Sequence, residues 1–179
     1  AKIKIGRPHV SEDLARLTAV RSAVGAEFDL MTDANQGFNR PEVLRRAAAF
    51  DGLDLAWLEE PLPAEDVAGH RQLREQSAIP VAVGESIYHP STFREYLEQG
   101  ACSIVQPDVA RIGGITPWIK VAHLAEGFDV GINALLARVT GDTFTEDKAE
   151  RVIDHVFANP VTLSGVMNDP ALLDSIWGA

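Results

Sequence analysis

A single cysteine, Cys102, among 179 residues rules out an internal disulfide, and the expected setting is a reducing one, by default the cytoplasm. No apolar run approaches the roughly 20 residues needed to cross a bilayer. Positive charge is scarce too: 16 Lys and Arg against 26 Asp and Glu leave a net charge of −10, which repels phosphate backbones and anionic membranes. Nucleic acid and membrane are therefore not expected partners. Residues 1–7 carry charge where a secretory signal needs an apolar core, so nothing there reads as targeting. The start on Ala1 instead of Met points to a fragment or a processed start. What is present, 46% hydrophobic and 23% charged residues, is the balance of a folded globular domain.

Short β-rich runs alternate with amphipathic helical stretches. The runs fall at 2–5, 28–32, 55–59, 79–85 and 103–107. The first helix is predicted to start at Ser11 as its cap, with Glu12 and Asp13 in the first turn. Leu14, Leu17, Val20 and Val24 form one face, and Gly25 stops it. Pro41 suits the first turn of a second helix. Gly100 closes the helix holding Phe93, Tyr96 and Leu97, and Thr116-Pro117 starts the one holding Ile119, Val121 and Leu124. Such a βαβα order predicts an α/β fold with a parallel sheet.

Each run ends on an ionisable residue: Lys4, Asp33, Glu59, Glu85 and Asp108, separated by 29, 26, 26 and 23 residues. A strand, loop and helix take about 30 residues, so these groups are expected in equivalent places of consecutive βα units. In a (β/α) barrel those places face the mouth, where chemistry is done. Strand alternation puts Lys2 on the face of Lys4, Trp57 with Glu59, Val83 with Glu85 and Gln106 with Asp108. Two inward lysines are costly to desolvate unless opposite charges rebalance them. Asp33, Glu59 and Glu85 supply that balance. Three hard carboxylates converging from neighbouring strands repel one another unless a cation lies between them, and Mg²⁺ suits such a set.

The local sequences Lys2-Ile3-Lys4, Thr32-Asp33-Ala34-Asn35-Gln36, Trp57-Leu58-Glu59-Glu60-Pro61, Val83-Gly84-Glu85 and Gln106-Pro107-Asp108, followed by Gly113-Gly114, strongly resemble the enolase superfamily, mandelate racemase subgroup. The likeness covers about residues 1–130, in order and with the family's spacing. It implies a partial (β/α)8 TIM barrel, about strands two to six of the family barrel, over residues 1–135, followed by a helical tail at 136–179 of unassigned role. It implies Mg²⁺ on Asp33, Glu59 and Glu85, gripping a small carboxylate substrate, an acid sugar or α-hydroxy acid. Lys4 matches the base that removes the proton α to the carboxylate, and Lys2 the lysine that helps hold that carboxylate. Such a proton is very weakly acidic until a metal and nearby cations stabilise the enediolate that forms. Positive charge from Lys2 and Mg²⁺ would lower the pKa of Lys4 toward working pH. Asn35 is placed to touch substrate, and Asp108 matches the aspartate that orients a histidine in a dyad.

That histidine is expected near 132–135, where the chain reads Gly131-Ile132-Asn133-Ala134-Leu135-Leu136. His9 and His89 are expected in loops, His70 and His123 on barrel helices as surface or satisfied residues, and His155 in the tail. A closed eight-unit barrel needs about 250 residues, and the family's capping domain has no counterpart here. The resemblance therefore implies a Mg²⁺-dependent dehydratase or racemase acting as a fragment with impaired activity. The alternative is a non-catalytic half-barrel that binds or assembles, and self-association is expected because an open parallel edge needs cover. Muconate cycloisomerase or dipeptide epimerase chemistry is a lesser alternative, since those relatives carry a second lysine where this chain has Asp108-Val109-Ala110-Arg111. Cys102 reads as a small core residue, Trp57 as packing below Glu59, and Gly113-Gly114 as either a turn or an anion-facing helix start.

Overall fold

The structure, a computed structural model, describes residues 1–133. Within them six short strands form one parallel sheet in sequence order. They are β1 (Lys2–Lys4), β2 (Met31–Asp33), β3 (Trp57–Glu59), β4 (Val81–Val83), β5 (Ile104–Val105) and β6 (Gly131–Ile132). Five α-helices cross between them: α1 (Val10–Val24), α2 (Arg40–Phe50), α3 (Val67–Gln76), α4 (Pro90–Glu98) and α5 (Ile115–Gly127). Consecutive parallel strands joined by helices, each strand pairing only with its chain neighbours, are the arrangement of a (β/α) barrel segment. The predicted strands are all present, each shortened to two or three residues. The structure adds β6, whose two residues are too few to show a period in the sequence. The helical stretches expected in the tail, and His155, lie outside the described residues.

Local signals explain most boundaries. Asn39 caps α2 by accepting the Glu42 N–H at 3.0 Å, with proline in the first turn. Asp66 caps α3 through the Gly69 N–H at 3.0 Å. Helix α1 begins one residue before the expected Ser11 cap, with His9 as its N-cap, because the Glu12 carboxylate reaches back to the His9 N–H at 3.0 Å. It ends at Gly25, as the sequence predicts. The predicted apolar face of α1 is only partly covered: Leu17 is buried while Val24 is exposed.

The core lies between the sheet and the helices. Outward strand residues Leu58, Val81, Val83 and Val105 are buried, as are Leu73 of α3, Phe93 and Tyr96 of α4 and Val121 of α5. Each such side chain contributes about 1.5–3 kcal/mol on burial. This outer layer leaves the opposite, barrel-interior face of the sheet to charged groups. No helix among the described residues is long and apolar enough to cross a membrane.

Candidate active site

Ladder register sets the first three predicted groups side by side. Lys4 pairs with Asp33, and Asp33 with Glu59, in directly opposed positions. Register partners share a face, so Lys2, Lys4, Asp33 and Glu59 project to the barrel interior together. Asp33 and Glu59 are 1% and 0% exposed, and two buried carboxylates require compensation. Lys2 provides it for Glu59 and Lys4 for Asp33. The Lys2 ammonium donates to both Glu59 oxygens at 2.8 and 3.1 Å and lies 3.6 Å from Asp33 Oδ2. Lys4 donates to Asp33 Oδ2 at 2.5 Å and to Asn35 Oδ1 at 2.6 Å. Trp57, expected only to pack, also donates from Nε1 to Glu59 at 3.1 Å. Burial opposes the charged form of Lys2, but its hydrogen bond to Glu59 and the charges of Glu59, Asp33 and Glu85 outweigh this and hold its pKa above the usual lysine value.

Glu85 and Asp108 depart from the expected equivalence. The residue opposite Glu59 in β4 is Ala82, and the one opposite Ala82 in β5 is Ile104, so Glu85 and Asp108 lie beyond their strand ends. The pairing of Val83 with Glu85 on one strand face is corrected as well: Val83 points outward, and strand geometry stops at Gly84. There φ is 147°, and an added Cβ would come within 2.6 Å of the Gln106 backbone. Glu85 instead faces Arg111, whose Nη2 lies 3.3 Å from Oε1 and whose Nη1 donates to the Glu85 carbonyl at 2.9 Å. Among the described residues, no three His, Cys, Asp or Glu side chains stand together as a metal-holding group.

Asp108 is buried, and its Oδ1 accepts the Ala110 and Arg111 N–H groups at 2.8 and 3.2 Å, tying the loop after β5. Next to β6 stands Asn133, whose N–H donates to the Val105 carbonyl at 2.9 Å. His9 and His89 are the N-caps of α1 and α4. His70 is on α3 as expected but is not a surface residue: it is 1% exposed, with Nδ1 2.9 Å from the Asp66 carbonyl and Nε2 lacking a partner. The Tyr96 hydroxyl stands 3.1 Å from the same Nδ1. Cys102 is buried, which pushes its thiol up to about 12 and fits a core residue.

Asp33, Glu59 and Glu85 are hard oxygen donors, the chemical type a divalent cation takes, but here Glu85 faces Arg111 while Asp33 and Glu59 adjoin one cationic group. Two buried carboxylates already share one cationic group, the Lys2 ammonium, and a third carboxylate lies near enough for Lys2 to feel its charge. Positive φ at Glu60, directly after Glu59, and at Asn35 and Gln36, two and three residues after Asp33, puts backbone strain close to both carboxylates, a pattern that clusters at functional sites.

A parallel βα segment with charged strand ends on its interior face defines a (β/α)-barrel domain with a polar mouth. The chain belongs to the enolase C-terminal domain-like family, whose model matches residues 1–140. It is 44% identical over 127 residues to an L-talarate/galactarate dehydratase of Salmonella typhimurium, covering 69% of this chain and 31% of that protein. It is 38% identical over 125 residues to a 3,6-anhydro-α-L-galactonate cycloisomerase of Streptomyces coelicolor, covering 70% and 35%. Among solved structures, an L-talarate dehydratase of Polaromonas sp. complexed with Mg and L-glucarate superposes with a TM-score of 0.74 at 39% identity, covering 76% of this chain and 36% of that one. The chain thus spans about a third of the length of the curated relatives it matches.

Proposed function

We propose that residues 1–133 carry the proton-abstracting half of an enolase-type site, acting on a small carboxylate of the acid-sugar class. The observation that carries this is the Lys2 ammonium lying between two buried carboxylates, Asp33 and Glu59. Asp33, Glu59 and Glu85 would hold Mg²⁺, with Glu85 turning from Arg111. Mg²⁺, when bound, supplies positive charge that offsets the substrate carboxylate and the negative charge gathering on it. Once the carboxylates engage a cation, Lys2 can turn to a substrate carboxylate oxygen. The Lys4 ammonium, the more exposed of the two lysines, must lose a proton before its Nζ can accept the substrate's α-proton. Asn35, already hydrogen bonded to Lys4, orients that amine and meets substrate hydroxyls. Acid-sugar relatives, one of them solved with L-glucarate, support this substrate class.

Asn133 next to β6 favours a second reading, a non-catalytic half-barrel. A proton donor on the far side of the substrate is needed to complete racemisation or dehydration, and Asp108 binds backbone amides of its own loop. Arg111, in place of a second lysine, stands against cycloisomerase or epimerase chemistry of the muconate type. Calorimetric titration of Mg²⁺ into wild type and Glu59→Gln tests the metal half of the proposal. Binding by wild type that Glu59→Gln loses supports it. Equal binding by both, or none by wild type, removes it.

A further inference from the structure

Glu60 is a buried acid that the chemistry above does not use. It follows Glu59 directly, is 5% exposed, and holds φ at 40°, a conformation an L side chain keeps only when its surroundings impose it. Its carboxylate lies on the other side of β3 from the Glu59–Lys2 pair, where it accepts the Ser86 N–H at 2.7 Å and the Ser86 hydroxyl at 3.2 Å. Its backbone N–H donates to the Ala82 carbonyl at 2.9 Å, and its carbonyl accepts the Gln36 N–H at 2.7 Å. Ser86 is the residue after Glu85. One side chain thus bolts the residue after one carboxylate to the residue after the other. Arg111 closes the arrangement from the next loop, donating to the Glu85 carbonyl at 2.9 Å and reaching the Ser86 hydroxyl at 3.4 Å.

We propose that Glu60 is a positioning residue that fixes Glu59 and Glu85 relative to each other through Ser86, so that both can serve one divalent cation. This rests on the reading that Asp33, Glu59 and Glu85 hold that cation. The physical basis is that β4 ends at Val83, so among the described residues Glu85 lies beyond the paired part of the strand. The register that sets Asp33 against Glu59 does not extend there, and the Glu60–Ser86 hydrogen bonds tie the two strand ends instead. Groups that orient metal ligands in this way typically change metal affinity about 10–100-fold when removed.

Titration of Mg²⁺ alone into the full chain, followed by calorimetry, tests the role. Glu60→Ala is expected to bind about 10–100-fold more weakly than wild type. Ser86→Ala is expected to shift in the same direction by less, since its backbone N–H still meets Glu60. Leu73→Ala, a core truncation in α3 that removes none of these hydrogen bonds, separates positioning from general loosening. It should lower the urea midpoint and leave Mg²⁺ affinity at the wild-type value. If Glu60→Ala does not fold, Glu60→Gln takes its place with the same expected direction. Wild-type affinity in the Glu60 and Ser86 variants, with Glu59→Gln losing binding, would overturn the role of Glu60 while leaving the metal site standing. A matching loss in Leu73→Ala would reduce the effect to stability and overturn it too. No binding by wild type would overturn both the metal site and the role built on it.

Discussion

The Lys2 ammonium donates to both carboxylate oxygens of Glu59, at 2.8 and 3.1 Å, across the width of β2. Lysine and glutamate therefore neutralise each other inside the barrel while a second carboxylate, Asp33, waits 3.6 Å away. Lys2→Met is expected to leave Glu59 buried with the Trp57 N–H as its one side-chain partner among the described residues. Breaking a fully buried pair costs about 3–5 kcal/mol, and the partial exposure of Lys2 reduces this to about 1–2 kcal/mol. Urea unfolding of the two proteins without and with Mg²⁺ checks it. The midpoint gain from Mg²⁺ should be larger in Lys2→Met, and an equal gain would show that ammonium and cation do not share the carboxylates.

A second ion pair stabilises the base of the site. Asp13, 0% exposed, accepts from Arg46 Nη1 at 2.7 Å and from the Gly6 and Arg7 N–H groups at 2.8 and 2.9 Å. Arg16 links the same carboxylate to the Lys4 carbonyl. Arg46→Met is expected to destabilise the chain by about 3 kcal/mol, as removal of one partner of a buried pair does. Chemical denaturation measures this directly, and a loss below about 0.5 kcal/mol, typical of surface positions, would contradict it.

His70 gives the fold a sensitivity to acid. Burial holds its pKa below the ordinary 6.5, against the opposing hydrogen bond and charge of Asp66. Below pH 6.5 the unfolded chain takes up the proton first, so stability falls as pH drops from 6.5 toward the lowered folded value, and is unaffected above it. Inside that window the loss approaches about 1.4 kcal/mol per pH unit. Urea midpoints followed from about pH 8 to 5 should fall more steeply for wild type than for His70→Gln. Parallel curves would remove His70 from the acid response.

How much of this was legible in the sequence depended on whether the ladder or a loop placed a residue. Asp33 and Glu59 could be placed from spacing because they occupy opposed strand positions. The same spacing carried on to Glu85 loses its meaning at Gly84, where the chain leaves the strand to pack on the Gln106 backbone. Glu60 stood in plain view as the second acid of Glu59-Glu60-Pro61, but its partner is 26 residues away and only the fold brings them together. Asp13 read as a helix-dipole residue. Its burial under Arg46, which comes from α2, has no local signal.

Open edges lead to a further expectation. Among the described residues β1 and β6 each pair on one side only, and unpaired strand edges recruit other strands. Light scattering of the full chain over a range of concentrations is expected to give a mass above the 19.4 kDa monomer. A monodisperse monomer throughout would show the edges are covered within one chain.

Proton transfer to Lys4 is the central claim, and α-proton exchange in deuterated water measures it without requiring a complete reaction. With Mg²⁺ and an acid sugar such as L-glucarate, the wild-type chain is expected to wash deuterium into the α-position with retained configuration, since Lys4 serves one face of the carbon. Net dehydration or racemisation should be slower by about 10²–10⁴-fold than with a second proton-transfer group in place. Lys4→Met should abolish the exchange. Exchange that persists in Lys4→Met, or its absence from wild type with Mg²⁺ bound, would contradict the account.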